Sequence, residues 1–172
     1  HASKKKNKKN ITIINDYFHS KLEITNKVDF IVCTGLLHEI KNQKELIRDI
    51  HKIAGENTII HLNVPNSNSF HRILALKAGI IKNLKEKSEF QKRFQQNHFF
   101  SMDELKRFVS NAGFDIIEDG FITLKPFTHT QMQEIIDKKI LSIEVIDALA
   151  EMVEVCPEYG AEIYVNIIKK NI

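Results

Sequence analysis

The amino-acid sequence predicts an α/β fold, and three neighbouring segments carry the prediction. Residues 28–33 are apolar apart from Asp29 and do not alternate with polar residues, as in a strand buried on both faces of its sheet. Residues 41–54 space their apolar side chains along one face of a helix, and residues 58–64 again have the composition of a strand. A strand, a helix and a strand of this length form a βαβ unit, whose two strands are parallel.

The composition is that of a globular domain and argues against several classes of protein. Of the 172 residues, 42% are hydrophobic and 27% are charged. The net charge of +3 owes much to the lysine-rich start KKKNKK, so we predict no nucleic-acid partner. No apolar run reaches the ~18–20 residues that cross a bilayer, so no membrane partner is predicted. The two cysteines form no CxxC pair and the eight histidines no zinc-site spacing, so we expect no metal and a reducing, cytoplasmic setting.

The segment before the βαβ unit is short. NITIINDYF predicts a strand at residues 11–14 that ends in the polar residues Asn15 and Asp16. The chain opens on HASKKKNKKN, a helix-forming stretch without an initial methionine. We interpret this start as the interior of a longer chain.

Beyond the unit, the spacing predicts a helical insertion at residues 66–97 and a sharply delimited helix after it. The insertion is expected over the carboxyl ends of the strands, and its charged stretch at residues 85–93 is interpreted as an amphipathic helix, with lid motion as a second role. In FSMDELKRFVSNAGF, Ser101 is the N-cap, Glu104 completes a capping box and Gly113 ends the helix.

The last part of the chain predicts two strands separated by a helical segment at residues 125–160. FDIIEDGFITL is a strand with a bulge or turn at Gly120, and GAEIYVNIIKK closes the chain as a second strand. Between them, residues 128–136 and 142–155 have helical spacing. We expect all of residues 1–172 to form a single domain.

Polar and ring-bearing residues follow three of the predicted strands. They are Asp16 and Tyr17 after the first strand, Thr34, Gly35 and His38 after the second, and Asn63 and Asn66 at the third. In open α/β sheets, ligands bind beyond the carboxyl ends of the strands. We therefore expect these groups to converge on one crevice.

Four segments, in this order, resemble the class I S-adenosylmethionine-dependent methyltransferases that act on small molecules. They are NITIINDYF, VDFIVCTGLLHEI, the helix and strand ending HKIAGENTIIHLNVPN, and HFFSMDELKRFVSNAGFDI. The resemblance implies a Rossmann-like methyltransferase sheet, mostly parallel with an antiparallel last strand, and S-adenosyl-L-methionine as cofactor. The tail, from FITLKPFTHTQMQEII to CPEYGAEIYVNIIKK, is similar to members associated with bacterial surface-polysaccharide synthesis.

The resemblance also implies roles for individual residues. Asp16 would accept a hydrogen bond from the adenine amino group, with Tyr17 beside the ring. Cofactor contacts along the methionine part would come from Cys33, Thr34 and Gly35. His38 would face the acceptor as the catalytic residue, and the further acceptor-side residues would be Asn63, Asn66, His71, Arg72 and His98.

The resemblance is incomplete at the start of the chain. The family's glycine-rich loop, and the strand that ends in an acidic residue for the ribose, have no counterpart, since all six glycines lie at position 35 or later. In the family fold these two strands lie between the strands expected at residues 11–14 and 28–33. We therefore expect N-terminal strands to be missing from this chain.

The chemistry of methyl transfer supports a role for His38. Transfer from a sulfonium is an in-line displacement that depends on alignment, and a hydroxyl acceptor gains ~10²–10⁴-fold from a positioned base with a pKa near neutral, such as histidine. Arg72, with His71, could bind the phosphate of a phosphorylated or nucleotide-linked sugar, and a solvated helix face is the alternative for both. His61, inside a strand, is expected to be packed and hydrogen-bonded.

Together these observations predict a methyltransferase that uses S-adenosyl-L-methionine on a small acceptor, a hydroxyl of a sugar or sugar-phosphate. A homo-oligomer is compatible with this prediction. The alternative is a non-catalytic methyltransferase-like domain that serves as a binding or assembly partner, and the absent glycine-rich loop favours it. Nucleic-acid binding is a weaker third option, because the basic residues form no patch interleaved with aromatic residues.

Overall fold

One four-stranded sheet organises the fold in the computed structural model, which describes residues 11–19, 21–22, 24, 28–87 and 98–170. The strands are β1 (Phe30–Thr34), β2 (Ile59–Pro65), β3 (Phe114–Ile122) and β4 (Glu162–Lys169). Their order is β1-β2-β4-β3, with β1 parallel to β2 and with β4 antiparallel to both of its neighbours. Three strands therefore run in one direction and the last one runs against them, which confirms the predicted fold class.

Five helices and two single turns of 3₁₀-helix connect these strands in the described ranges. They are α1 (Gln43–Ile53), α2 (Phe70–Lys77), α3 (Met102–Asn111), α4 (His129–Asp137), α5 (Ile143–Glu151) and the 3₁₀ turns Met152–Glu154 and Pro157–Tyr159. The capping box of α3 is confirmed: the Ser101 side chain accepts from the Glu104 backbone N–H, and Glu104 Oε2 accepts from the Ser101 backbone N–H at 3.0 Å. Of the predicted insertion, residues 88–97 lie outside the described residues.

The hydrophobic core lies between one face of the sheet and the helices α1 and α3. Alternate residues of β2 and β4 point into it, because successive side chains of a strand face opposite sides. Its fully buried strand residues are Ile60, Leu62, Val64, Ile163, Val165 and Ile167, and its helical residues include Leu46, Ile47, Ile50, Leu105 and Val109. Helices α4 and α5 contribute no buried residue. The core therefore fixes β2 and β4, whose ends form the site described below.

The opposite face of the sheet carries a polar network. His61 Nδ1 lies 2.8 Å from Asn166 Oδ1, and Asn166 Nδ2 donates to Glu118 Oε2 at 2.6 Å. The Tyr164 hydroxyl donates to Glu118 Oε1 at 3.2 Å, and its ring stacks on that of His61. The prediction that His61 is packed and hydrogen-bonded is thus confirmed. On the same face of the edge strand β1, Val32 is 65% exposed.

Three local predictions are wrong. Phe30 and Val32 on β1 are 52% and 65% exposed, so this strand is not buried on both faces as predicted. Residues 11–14 form no strand and their isoleucines are exposed, because a β-branched segment becomes a strand only when a neighbouring strand pairs with its backbone. The irregularity in β3 lies between Ile116 and Glu118, and Gly120 stays in register with Tyr164. A Cβ atom at Gly120 would lie 2.7 Å from Tyr164 Cε1, so the glycine makes room for a ring and not for a bulge.

Candidate functional site

The candidate site lies at the edge of the sheet where β1, β2 and β3 end and β4 begins. Backbone hydrogen bonds join the segments there: Gly35 N donates to Asn63 O at 3.1 Å, and Asn66 N donates to Ala161 O at 3.0 Å. Ala161 N in turn donates to Thr123 O at 2.7 Å. The structure therefore brings together the residues that follow the βαβ strands and adds the segment after β3.

The bend at Gly35 opens this edge of the sheet. Gly35 has φ +68°, in the left-handed region, and nothing lies within 4 Å of the position of a Cβ atom. Thr34 beside it is exposed. The side chain of Cys33 points into the core instead, and burial raises the pKa of its thiol to about 11. At Cys33, only the backbone faces the edge.

His38 follows the bend and is buried, with 5% of its surface exposed. Its Nε2 lies 3.8 Å from Glu39 Oε1, and its Nδ1 has no hydrogen-bond partner among the described residues. Burial lowers the pKa of His38 below its usual value, while Glu39 and Glu162 act to raise it. The imidazole is therefore neutral near pH 7, and the two carboxylates would stabilise the cation that forms when it takes a proton.

A second histidine, His71, is half-buried and lies in the first turn of α2. Its Nδ1 also has no hydrogen-bond partner in the described part of the chain. Burial lowers the pKa of His71 to about 4, and the cations of Lys125 and Arg72 lower it further in the same direction. His38 and His71 thus share a buried Nδ1 without a partner but have neighbours of opposite charge.

Arg72 supports the chain that follows α2. Its Nε and Nη2 donate to Leu84 O at 2.9 and 2.6 Å, and Nη2 also donates to Glu86 O at 2.7 Å. The guanidinium lies 5.1 Å from the centre of the Phe99 ring. These carbonyls accept hydrogen bonds from the guanidinium N–H groups of Arg72, which the sequence indicated as donors to a phosphate. A contact between Arg72 and a substrate would therefore compete with these bonds.

Asn66 connects β2 to the start of β4. Its Nδ2 donates to Glu158 O at 3.0 Å and to Gly160 O at 2.9 Å, and its Oδ1 accepts from Asn68 N at 2.9 Å. Both amide hydrogens are therefore engaged within the protein, and an acceptor contact would compete with these bonds. Asn63, three residues earlier on β2, is also buried.

The remaining predicted residues lie on two other segments. His98 donates its backbone N–H to His38 O at 3.2 Å, which places it beside the site. Asp16 accepts from Tyr17 N at 2.7 Å and lies 3.4 Å from His19 Nε2, and the Tyr17 side chain is 90% exposed. No hydrogen bond in the described ranges joins Asp16 or Tyr17 to β1 or β2.

The structure adds three residues that sequence reasoning missed, namely Ser69, Lys125 and Glu162. Lys125 comes three residues after the end of β3, which runs parallel to β2. Ligands bind beyond the carboxyl ends of such strands, so this position could have indicated a site residue. Glu162 opens β4, opposite Pro65. The antiparallel direction of β4 brings its first residue, and not its last, to the site.

Other features of the described residues do not add to this site. A groove of about 510 Å³ lies along the outer surfaces of α1 and α3 and contains none of the predicted site residues. No group of three or more metal-ligating side chains occurs in the described part of the chain. In the same part, no helix has the length and apolar character to cross a membrane.

The environment of His71 gives a pH dependence of stability. The pKa is about 4 in the folded state and near 6.5 in the unfolded chain, so between these values the unfolded state binds more protons. The free energy of unfolding therefore decreases as pH falls from about 6.5 to about 4. The decrease is about 3 kcal/mol at most for a pKa shift of this size. We expect the free energy of unfolding of His71→Asn to depend less on pH than that of the unmodified chain. Urea unfolding measured across this pH range checks the expectation.

The exposed His129 on α4 provides the matched control for that measurement. His129→Asn should leave the pH dependence of unfolding as it is in the unmodified chain. Equal dependence in the unmodified chain and in His71→Asn would contradict a buried neutral His71.

Two comparisons with solved structures support the fold. A SAM-dependent methyltransferase from Thermotoga maritima aligns with a TM-score of 0.51 and 12% identity over 88% of this chain and 61% of its own. A structure of a methyltransferase complexed with the Trm112 methyltransferase activator, from Haloferax volcanii, gives a TM-score of 0.51 and 11% identity over 89% of this chain and 59% of its own. The chain thus spans about three fifths of the length of these structures.

The sequence itself identifies the family. No curated protein matches it significantly. The pattern of a family described as a methyltransferase domain matches residues 2–119, which is more than half of the chain. This range contains β1, β2, the bend at Gly35, His38 and α3. The chain therefore belongs to the methyltransferase domain family.

Proposed function

We propose that this protein transfers a methyl group from S-adenosyl-L-methionine to a hydroxyl group of a small acceptor, a sugar or a sugar-phosphate. The observation that carries the proposal is the buried, neutral His38 with an unpartnered Nδ1, next to an open bend at the carboxyl end of β1. The methyltransferase family and fold support it. The similarity of the tail to members associated with surface-polysaccharide synthesis is the reason for proposing a sugar.

The bend at Gly35 fits the methionine part of the cofactor. The space in front of Gly35 is open, and the exposed Thr34 and the backbone of Cys33 border it. S-adenosyl-L-methionine supplies a methyl group on a sulfonium. Asp16 would accept a hydrogen bond from the adenine amino group, with Tyr17 beside the ring.

His38 supplies the base in this proposal. Because Nε2 faces Glu39, the neutral ring carries its proton there and presents the lone pair of Nδ1. Nδ1 would accept the proton of the acceptor hydroxyl. Glu39 and Glu162 then stabilise the imidazolium. In this proposal Asn63 and His98 would also contact the acceptor.

Two glycines provide a matched pair that tests the cofactor position. Gly35 and Gly79 have φ +68° and +70°, and nothing lies within 4 Å of a Cβ atom at either. Alanine at either position should cost about 1–2 kcal/mol of stability from the left-handed backbone. We expect only Gly35→Ala to weaken the binding of S-adenosyl-L-methionine in calorimetry, because only that methyl group would enter the cofactor space. Equal cofactor affinity in the two variants would contradict the assignment of Gly35.

Transfer itself is tested with radiolabelled S-adenosyl-L-methionine and a panel of sugars and sugar-phosphates. The proposal predicts label in at least one sugar hydroxyl, and none when S-adenosylhomocysteine is in excess. If the protein binds the cofactor but labels no member of the panel, the proposed acceptor class is wrong.

One observation favours a second function, that of a non-catalytic binding partner. Strand β1 pairs only with β2 in the described residues, and Phe30 and Val32 on it are 52% and 65% exposed. An exposed apolar edge strand is a surface on which another chain can add a strand. Failure of the protein to bind S-adenosyl-L-methionine would favour this function.

A further inference from the structure

We propose that the N-terminus of α2, with Ser69, His71 and Lys125, forms an anion site that binds a phosphoryl group of the acceptor. This inference rests on the proposed function, because it names a second group of the same acceptor. It adds two residues, Ser69 and Lys125, to those that the sequence indicated. It also replaces Arg72 as the phosphate-binding cation.

The first evidence is the cap of α2. Ser69 is the N-cap residue, is fully buried, and makes no side-chain capping bond. An N-cap serine ordinarily accepts from a backbone N–H of the first helical turn. Here its Oγ has no partner among the described residues, and a buried hydroxyl without a partner costs about 1–3 kcal/mol. A ligand at this helix end would satisfy the hydroxyl.

The second evidence is the charge around that hydroxyl. The helix N-terminus carries partial positive charge, and the cations of Lys125 and Arg72 both act on His71 in its first turn. Arg72 is engaged with the carbonyls of Leu84 and Glu86. Lys125 has no carboxylate within ion-pairing distance in the described part of the chain. Lys125 is therefore the cation available to a ligand.

The third evidence is the backbone that leads to Lys125. Thr123 has φ 47°, a left-handed conformation that is rare for a β-branched residue. Its carbonyl accepts from Ala161 N, and Leu124 is buried, so the conformation is held from both sides. Such strain is often stored at ligand sites. Lys125 follows two residues after this fixed position.

The charges also orient the acceptor. His38 faces the carboxylates of Glu39 and Glu162, whereas His71 faces two cations. The consecutive residues His98 and Phe99 contact the two sides: His98 donates to His38 O, and Phe99 lies under Arg72. An anionic group is repelled from the His38 side and attracted to the α2 side. A sugar-phosphate would therefore present its hydroxyl to His38 and its phosphoryl group to Ser69, His71 and Lys125.

The test is an NMR titration of the histidine side chains with inorganic phosphate, with glucose 1-phosphate and with glucose, all without S-adenosyl-L-methionine. Both phosphate-containing compounds should shift the His71 signals saturably, and glucose should not. Bound phosphate should also raise the pKa of His71 from about 4, because a nearby negative charge favours the protonated ring.

Two lysine variants with the same change in net charge make the titration specific. Lys125→Gln should weaken phosphate binding at least about tenfold, as expected for the loss of one charge-assisted hydrogen bond. Lys77→Gln, at the other end of α2, should leave the affinity unchanged. Ser69→Ala should weaken binding and leave the melting temperature the same or higher, because it removes an unpartnered hydroxyl.

Three outcomes would overturn the inference. They are the absence of a saturable shift of His71, equal phosphate affinity in Lys125→Gln and Lys77→Gln, and binding of inorganic phosphate without binding of glucose 1-phosphate. Because no cofactor is present, each outcome is independent of whether the protein binds S-adenosyl-L-methionine. Failure of the proposed function is seen separately, as absent cofactor binding.

Discussion

Replacement of His38 by asparagine is expected to lower kcat for methyl transfer by roughly 10²–10⁴-fold, the usual contribution of a positioned base. Asparagine keeps a polar side chain of similar size but cannot accept the proton of the acceptor hydroxyl. The affinity for S-adenosyl-L-methionine should change little, because the base contacts the acceptor and not the cofactor. The rate is measured with the best acceptor from the sugar panel, and cofactor affinity by calorimetry.

The pH profile provides a second readout for His38. Burial lowers its pKa, so the basic form persists at neutral pH and kcat/KM should fall only below the ordinary histidine range. Glu162→Gln removes a carboxylate that raises this pKa and should shift the acidic limb to still lower pH. His129→Asn, on the exposed surface of α4, is the matched control. An unchanged kcat in His38→Asn would exclude His38 as the base.

Replacement of Asn66 by alanine is expected to lower the free energy of unfolding by about 3 kcal/mol. The change removes the partner of the buried Gly160 carbonyl and of two partly buried groups, the Glu158 carbonyl and the Asn68 N–H, and a buried group costs about 1–3 kcal/mol if unsatisfied. For a chain of this length, that corresponds to a fall in Tm of roughly 6–12 °C.

Two further variants make the Asn66 result specific. Asn66→Asp keeps the shape but places an acceptor against two carbonyl oxygens, so it should destabilise at least as much as alanine. Asn68→Ala, at the exposed neighbouring residue, should change Tm little. Comparable Tm values for Asn66→Ala and Asn68→Ala would show that the amide of Asn66 does not hold the start of β4.

The parts of the fold that the sequence predicts correctly are those fixed by local interactions. The capping box of α3 needs only Ser101 and Glu104, three residues apart, and both of its hydrogen bonds form. The parallel pairing of β1 and β2 follows from the length of their helical connection. In both cases neighbouring residues contain all the information that is needed.

The errors arise where a distant part of the chain decides the outcome. The isoleucines at residues 11–14 favour a strand, but strand formation requires a partner, and in the described residues β1 pairs only with β2. Gly120 looks like a bulge until the ring of Tyr164, which is 44 positions away, fills the space above it. Neither partner can be recognised from the local pattern.

The candidate site divides in the same way. The strand ends place Thr34, Gly35 and His38 at the carboxyl edge, where the sequence predicts them. The side-chain partners of Arg72 and Asn66 are carbonyl groups of later loops, and no residue pattern specifies those. Thr123, two residues before Lys125, adopts a left-handed conformation, which the sequence does not indicate for a β-branched residue.

The most direct test of the account is calorimetric titration with S-adenosyl-L-methionine and S-adenosylhomocysteine. It is done on this chain and, where the gene encodes further upstream residues, on the extended form. The account predicts saturable binding of both compounds by at least one form, weakened by Gly35→Ala and not by Gly79→Ala. Binding by neither form would contradict the cofactor positions at Thr34, Gly35 and Asp16 and would leave the non-catalytic binding partner as the better explanation.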